Sequence, residues 1–344
     1  MVSEVPLTED DLAGAALSHW SMLAKTCGLS ADLPAREVLL ARKEAHGPKV
    51  VLVVRQGDGK PMLLKQEVRQ DNHPGGHFAL CLAAQEQARR RLAGNMQGLR
   101  VPRLLAFLPK EAVALLEYLP GENAATLLEQ SDSNRDRRAI LQDCGRWLAE
   151  FHRSARGPHR PYQTRYACEH LQKVRSDVNI GKLKVADTAI FISLVDAVLE
   201  SAVRFDGLPA QHAERHGDYN LRNIVIERVG GASKVGAFDF RPSQSAPVGY
   251  DVARLLVDFT ALYAEHLKVP DGELLQRAYL GAFFRGYDFV KRDDAAVGFL
   301  VGVQIVQDWI RVPSRDEHRS FLQTLRLAGL AQTARRMFPQ LTRV

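Results

Sequence analysis

Cysteine is scarce and dispersed. The 344 residues hold four, Cys27, Cys81, Cys144 and Cys168. No two of them make a Cys-x-x-Cys pair, so neither a zinc site nor a disulfide framework is indicated. Long apolar runs are also missing: no stretch of about 18 uncharged apolar residues occurs, and no membrane span is expected. The opening stretch, Met1 to Asp11, is acidic and lacks the apolar segment of a secretory leader. The cytoplasm is the expected compartment. There is no internal repeat, no low-complexity tract, and no basic stripe interleaved with aromatics, so nucleic acid is not favoured as a partner. Charge is nearly balanced, 46 basic against 40 acidic residues for a net +6. That excess suits an anionic ligand, and a weakly basic surface explains it equally well. Apolar content of 46% with 25% charge fits a soluble globular enzyme. The length fits one two-lobed unit or two domains.

What the chain does hold is a run organised around Arg215-His216-Gly217-Asp218-Tyr219-Asn220-Leu221-Arg222-Asn223. A β-branched stretch, Ile224 to Ile226, follows it. Gly230-Gly231 then reads as a hairpin turn, and the returning run Val235 to Phe240 carries Asp239. This pattern predicts that Asp218, Asn223 and Asp239 converge. The grouping suits phosphoryl transfer. Mg²⁺ takes hard oxygen ligands, so one carboxylate and one amide oxygen can hold it when phosphates complete the shell. A separate carboxylate must accept the proton of an attacking hydroxyl. Asn223 and Asp239 fit the metal role, and Asp218 fits the base. The bland reading is that these residues are turn formers.

Protein kinases space a catalytic Asp and a metal-binding Asn the same way but read His-Arg-Asp and Asp-Phe-Gly. Here His216-Gly217-Asp218 and Asp239-Phe240-Arg241 stand instead. With these motifs the chain resembles the aminoglycoside phosphotransferase family, the small-molecule branch of the kinase-like fold. The resemblance implies an α+β, bilobal architecture: an antiparallel N-terminal sheet with one main helix over 1–119, and a largely helical C-terminal lobe over 120–344. It also implies ATP and Mg²⁺ as cofactors and a small-molecule hydroxyl as acceptor.

Further stretches are read in that light. Met62-Leu63-Leu64-Lys65-Gln66 is a strand whose lysine needs an anionic partner if buried. By resemblance Lys65 binds nucleotide phosphates; the alternative places it on a solvent face. In the following helix, Phe78, Leu82 and Glu86 recur at helical spacing. Glu86 is therefore expected to orient Lys65, or else to lie at the surface beside Arg89 and Arg90. Glu117 and Leu119 precede Pro120-Gly121, where the resemblance places adenine against backbone groups. Leu148-Ala149-Glu150-Phe151-His152 resembles the family's ending before its substrate-lobe insertion, and His152 reads as a capping or core histidine. Asp251, opening the helix Asp251-Val252-Ala253-Arg254-Leu255-Leu256, is expected to cap that helix and, by resemblance, to brace the catalytic loop. Between the first two strands the family's phosphate-covering loop has no clear counterpart: Arg42 to Lys49 holds one glycine and Pro48, and Arg42, Lys43 or Lys49 are the charges that could substitute.

Two other classes fit less of the pattern. One is a degenerate nucleotide-binding scaffold. The other is a metal-dependent hydrolase built on Asp218, Asp239 and His216, which would not need Lys65. The acceptor is left open among sugars, amino alcohols and aminoglycoside-like compounds. The basic stretch Arg153 to Arg165 does not suit a polycation.

Overall fold

The structure, a computed structural model, describes residues 8–44, 47–68, 76–94, 98–242, 244–264, 268–339 and 341. The chain runs α1 (Glu9–Leu17), α2 (Trp20–Cys27), β1 (Ala35–Glu44), β2 (Gly47–Arg55), β3 (Met62–Glu67), α3 (Gly76–Leu92), β4 (Leu99–Arg100), β5 (Leu104–Leu108) and β6 (Val113–Glu117). It continues through β7 (Glu122–Asn123), α4 (Ala124–Glu129), α5 (Asn134–Ser154), β8 (Arg156–Pro161), α6 (Arg165–Asn179), α7 (Thr188–Ser201) and β9 (Pro209–Glu214). The last elements are β10 (Ile224–Val229), β11 (Ala232–Ala237), β12 (Ser245–Pro247), α8 (Gly249–Tyr263), α9 (Arg277–Gly286), α10 (Ala295–Ile310) and α11 (Phe321–Met337). The expected α+β class is what the structure has.

Two compact units emerge: Met1–Gly121 with Glu227–Pro242, and Glu122–Ile226 with Ser243–Val344. The division expected at 119/120 had left Glu227–Pro242, and with it Asp239, on the other side.

In the first unit an antiparallel sheet has the order β1-β2-β3-β6-β5. Strand pleating sends alternate residues to opposite faces. Val50, Leu52, Val54, Leu64, Val113 and Leu115 form one apolar layer with Trp20 and Leu23 of α2 and Leu12 of α1. On the other face Ala114 and Leu116 pack against Phe78 and Leu82 of α3, with Leu63 at the edge. Lys65 stands opposite Ala114 and one pleat from Leu63, so it points to the α3 face. The stretch expected as a loop over 42–49 is mostly strand: β1 and β2 pair as far as Glu44 and Gly47. Ala45 and His46 lie outside the described residues, as does the expected loop at Pro74-Gly75. The stretch from Thr8 to Cys27 forms two helices, broken at Ser18-His19. Thr8 does cap the first, accepting from Asp11 N–H while the Asp11 carboxylate accepts from the Thr8 N–H.

The second unit is mostly helical. Helices α5 and α9 cross where each has a glycine: a Cβ on Gly286 would lie 2.0 Å from the Gln142 carbonyl oxygen, and one on Gly145 would lie 2.4 Å from that of Phe283. The amphipathic face of α5 buries Ile140, Leu141, Cys144, Trp147, Leu148 and Phe151. A three-stranded sheet, β12-β9-β8, leads from β9 into the His216-Gly217-Asp218 loop.

Candidate active site

Lys65 is buried, 8% exposed, and its Nζ lies 2.5 Å from Asp239 Oδ1 and 3.5 Å from Glu67 Oε2. Phe78 of α3 presents its ring 5.4 Å from the ammonium. Burial opposes the charge, but Asp239 and Glu67 more than offset it, and the Lys65 pKa sits above its ordinary value. Asp239 is shifted the opposite way: burial pushes its carboxyl up, and Lys65 outweighs that and brings it below the usual range. Asp239 also holds a left-handed backbone, φ 63°, a conformation that Asp tolerates better than most residues.

The expected Lys65–Glu86 pair is not what forms. Glu86 forks onto Arg89, 2.6 and 2.9 Å away, and reaches Arg90 at 3.4 Å. Partners one turn along the same helix capture its carboxylate, which is the surface alternative weighed above. The buried acid beside Lys65 is Glu67, 6% exposed. It sits one pleat from Lys65 on β3 and directly across from Lys49 on β2, whose Nζ is 3.6 Å away. The sequence signal was the period-two spacing Leu63-Lys65-Glu67. Gln85, the neighbour of Glu86, is the buried polar group of α3 and donates to the Pro102 carbonyl at 3.0 Å.

Glu117 serves the sheet: its N–H donates to the Arg103 carbonyl and its carboxylate accepts from the Arg103 N–H. Leu119 is 8% exposed. Its side chain lies so near Gly236 that a Cβ there would come within 2.5 Å of Leu119 Cδ1, so this approach needs glycine.

In the second unit the loop 216–223 is tied down residue by residue. Asp251, at the start of α8, accepts from His216 N–H at 2.7 Å and Gly217 N–H at 3.0 Å. His152 Nε2 lies 3.1 Å from the same carboxylate, and His152 Nδ1 lies 2.7 Å from the Tyr287 hydroxyl. Burial raises the Asp251 carboxyl, yet His152, His216 and the Gly217 amide hold it below the ordinary range. Asp251 does brace the loop, but it lies inside the first turn of α8, which opens at Gly249, and does not cap that helix as expected; His152 is a core histidine with no exposed surface. His216 is equally buried and takes the Asp218 N–H on Nδ1 at 3.4 Å. That placement fits a loop support and not the hydrolase reading.

Two turns along α8, Asp258 accepts from Leu221 N–H at 3.1 Å. Between them, Arg254 donates to Asp218 Oδ1 at 3.1 Å and grips Asp308 of α10 through Nη1 at 2.7 and 3.0 Å. Asp308 in turn receives Gln304 at 2.9 Å and Arg311 at 2.8 Å. Burial lowers the Arg254 pKa, and Asp308, Asp218 and Asp258 more than restore it, so the guanidinium is firmly charged. Sequence reasoning missed Arg254 and Asp258 as loop supports. Their signal was polar residues at positions 251, 254 and 258, one stripe of an otherwise apolar helix.

Asn223 donates Nδ2 to the Asp218 carbonyl at 3.0 Å. This fixes the amide plane, and no described residue bonds its Oδ1. No described residue bonds Asp239 Oδ2 either. Each is a hard oxygen of the kind Mg²⁺ accepts, so the donor chemistry fits the metal. Among the described residues no cluster of three His, Cys, Asp or Glu side chains makes a cation site by itself. Asp218 and Asn223 share one loop in the second unit, while Lys65 and Asp239 pair in the first.

A sheet with a buried lysine, followed by a His-Gly-Asp loop with an Asn five residues on, defines a kinase-like phosphotransferase. The sequence matches the model of the phosphotransferase enzyme family (APH) over residues 37–292, and the protein belongs to that family. The family is one of phosphotransferases. No curated sequence matches the chain. Solved structures share its fold. A choline/ethanolamine kinase family protein from Mesorhizobium loti is 16% identical with TM-score 0.57, covering 98% of this chain and 97% of that one. A spectinomycin phosphotransferase bound to ADP and spectinomycin is 12% identical with TM-score 0.58, covering 92% and 96%. An amicoumacin kinase holding AMP-PNP, Ca²⁺ and its antibiotic is 14% identical with TM-score 0.52, covering 86% and 87%. Among the described residues no helix is long and apolar enough to cross a membrane.

Proposed function

We propose that the protein transfers the γ-phosphate of ATP to a hydroxyl of a small metabolite. Asp218 orients the hydroxyl and accepts its proton. Lys65 binds the α- and β-phosphates once a nucleotide draws it from Asp239, and Glu67 supports it. Asn223 and Asp239 are the residues that would hold Mg²⁺, which when bound would offset charge on the phosphates. Leu119 borders the adenine, and Glu117 contributes through backbone at most.

The observation that carries this reading is the state of the 216–223 loop. Asp251 and Asp258 pin its backbone, and the Asn223 amide is fixed with its oxygen left available. Such preorganisation is how phosphoryl transfer is catalysed, since positioning and electrostatics do most of the work. Arg254 holds the Asp218 carboxylate in place, and Asp308 shares the cation, which tempers its pull on the base.

The test is Mg²⁺-dependent ATP turnover with a panel of sugars, amino alcohols and aminoglycosides. Asp218→Asn is expected to lower kcat by roughly 10²–10⁴, the range for a lost general base, with nucleotide affinity preserved. Near-normal turnover would remove Asp218 from its role. Tight Mg²⁺–ADP binding with no turnover on any acceptor would leave a scaffold.

A further inference from the structure

The second unit holds a cavity of about 460 Å³ that the catalytic roles above do not use. It opens between the end of β8, the strands β9 and β12, and the starts of α6 and α8. Arg160 and Arg215 supply its cations, His212 an imidazole, and Tyr162, Tyr250 and Ser245 its hydroxyl groups. Among the described residues no aspartate or glutamate lines it. For a protein of nearly balanced charge this is a marked local bias.

Three observations say what it lacks. The Tyr162 side chain is buried, 3% exposed, and its hydroxyl has no hydrogen-bond partner. An orphaned buried hydroxyl is costly, and a side-chain shift that brings it to a polar ligand in the cavity would relieve that cost. The His212 imidazole is held below its ordinary pKa, first by burial and then by the Arg160 charge, with His159 adding to this and Asp294 opposing it. The Arg160 charge thus reaches the His212 ring, with Asp294 behind the lining as the opposing acid. Arg215 stacks its guanidinium on the Tyr250 ring, 4.6 Å from the centroid, which holds a cation at the wall. Arg215 is also the residue directly before the His216-Gly217-Asp218 loop.

We propose that this cavity binds the acceptor, and that the acceptor is an anionic, hydroxylated small molecule: a sugar acid or another polyol carrying a carboxylate or phosphate. Arg160 and Arg215 take the anionic end, and the phenol of Tyr162 bonds an oxygen of the ligand. The inference rests on the phosphotransferase reading for the word acceptor, but binding itself does not need a nucleotide. The size suits a metabolite of this kind, since ligand cavities of about 300–1,000 Å³ hold small organic molecules.

The full-length chain is titrated calorimetrically, without nucleotide, with gluconate and glucose 6-phosphate, with neutral glucose, with cationic glucosamine, and with inorganic phosphate. The two anionic polyols are expected to bind, and glucose and glucosamine at least roughly tenfold more weakly, the factor for one charge-assisted hydrogen bond. Arg160→Gln, at an exposed side chain, and Tyr162→Phe, which removes only the hydroxyl, are each expected to weaken gluconate binding several-fold or more. Mg²⁺–ADP affinity, measured separately, is expected to be unchanged in both, so loss of nucleotide binding by the unmodified protein would fault the phosphotransferase reading and not this one. In turnover, both variants should raise KM for the anionic acceptor with little change in kcat. Equal binding of glucose or glucosamine overturns the proposal. So does inorganic phosphate binding as tightly as the polyol acids, or unchanged gluconate affinity in both variants.

Discussion

Lys65 shows how a buried charge chooses among acids. Three carboxylates were available on nearby elements: Glu67 on its own strand, Glu86 on α3 and Asp239 after β11. The pleat delivers Glu67 to the same face, whereas Glu86 is satisfied by Arg89 and Arg90 before it can reach the sheet. Removing Glu67 takes the carboxylate from Lys49 and leaves Lys65 with Asp239 alone, so Glu67→Ala should cost about 1–3 kcal/mol, below the scale for a buried charge left with no partner. Glu86→Ala removes a partly exposed helix pair and should cost under about 1 kcal/mol. Urea denaturation of the two variants measures the contrast, and equal losses would show that Glu67 is not the supporting acid. The sequence singled out the lysine but left its face open, because alternation alone does not say which side is buried. It named Arg89 and Arg90 as rivals for Glu86 but not Glu67 as the partner, because helical phase also puts Glu86 on the apolar stripe.

Helix α8 works as a clamp with three polar teeth, Asp251, Arg254 and Asp258. Asp251→Ala would strand the buried N–H groups of His216 and Gly217 and the His152 ring. At about 1–3 kcal/mol for each unsatisfied group, the loss should reach at least 3 kcal/mol, with kcat falling and Mg²⁺–ADP affinity little changed. Thermal melts and steady-state kinetics on one preparation test both halves. Where α5 meets α9 the backbones touch through Gly145 and Gly286. Gly286→Ala forces the helices apart and should destabilise by about 1–3 kcal/mol or more, readable in the same melts. Asp251 was legible because it opens a helix after a loop. Arg254 and Asp258 were not singled out as loop supports, since a polar residue on a helix usually faces water. The sheet β12-β9-β8 escaped sequence reading for a different reason: β8, Arg156-Gly157-Pro158-His159-Arg160-Pro161, is polar and twice interrupted by proline, so neither strand period nor β-branched content marks it.

Across the molecule, the shifted groups set a window of pH. Asp239 and Asp251 lie below the ordinary carboxyl range in the folded chain. Their contribution to stability is therefore complete above the unfolded value of about 3.9, and it is lost as pH falls through the lower folded values. Lys65 lies above its ordinary value. Its contribution is complete below the unfolded value of about 10.4 and is lost as pH rises through the higher folded value. Stability should thus be flat across the neutral range as far as these groups are concerned, and fall in acid. Asp251→Asn should shallow the acid limb. Urea midpoints measured from pH 2 to pH 7 would expose an unaltered slope, which would mean that another carboxylate governs it. The phosphotransferase family and its α+β fold were legible at this scale, since the motifs around Asp218 and Asp239 are compact in sequence. The partition of the chain was not, because it depends on which strands the distant segment Glu227–Pro242 joins.

That segment has a consequence for how the protein is made. Strand β4 is synthesised early, but its parallel neighbour β11 leaves the ribosome only after most of the second unit's first stretch, with Val235 seated against Leu99. Until then Lys65 also lacks Asp239. Nascent chains released before residue 242 should carry an N-terminal portion that is open at β4 and prone to proteolysis, so that maturation of the lysine's surroundings is deferred until the 216–223 loop has been translated.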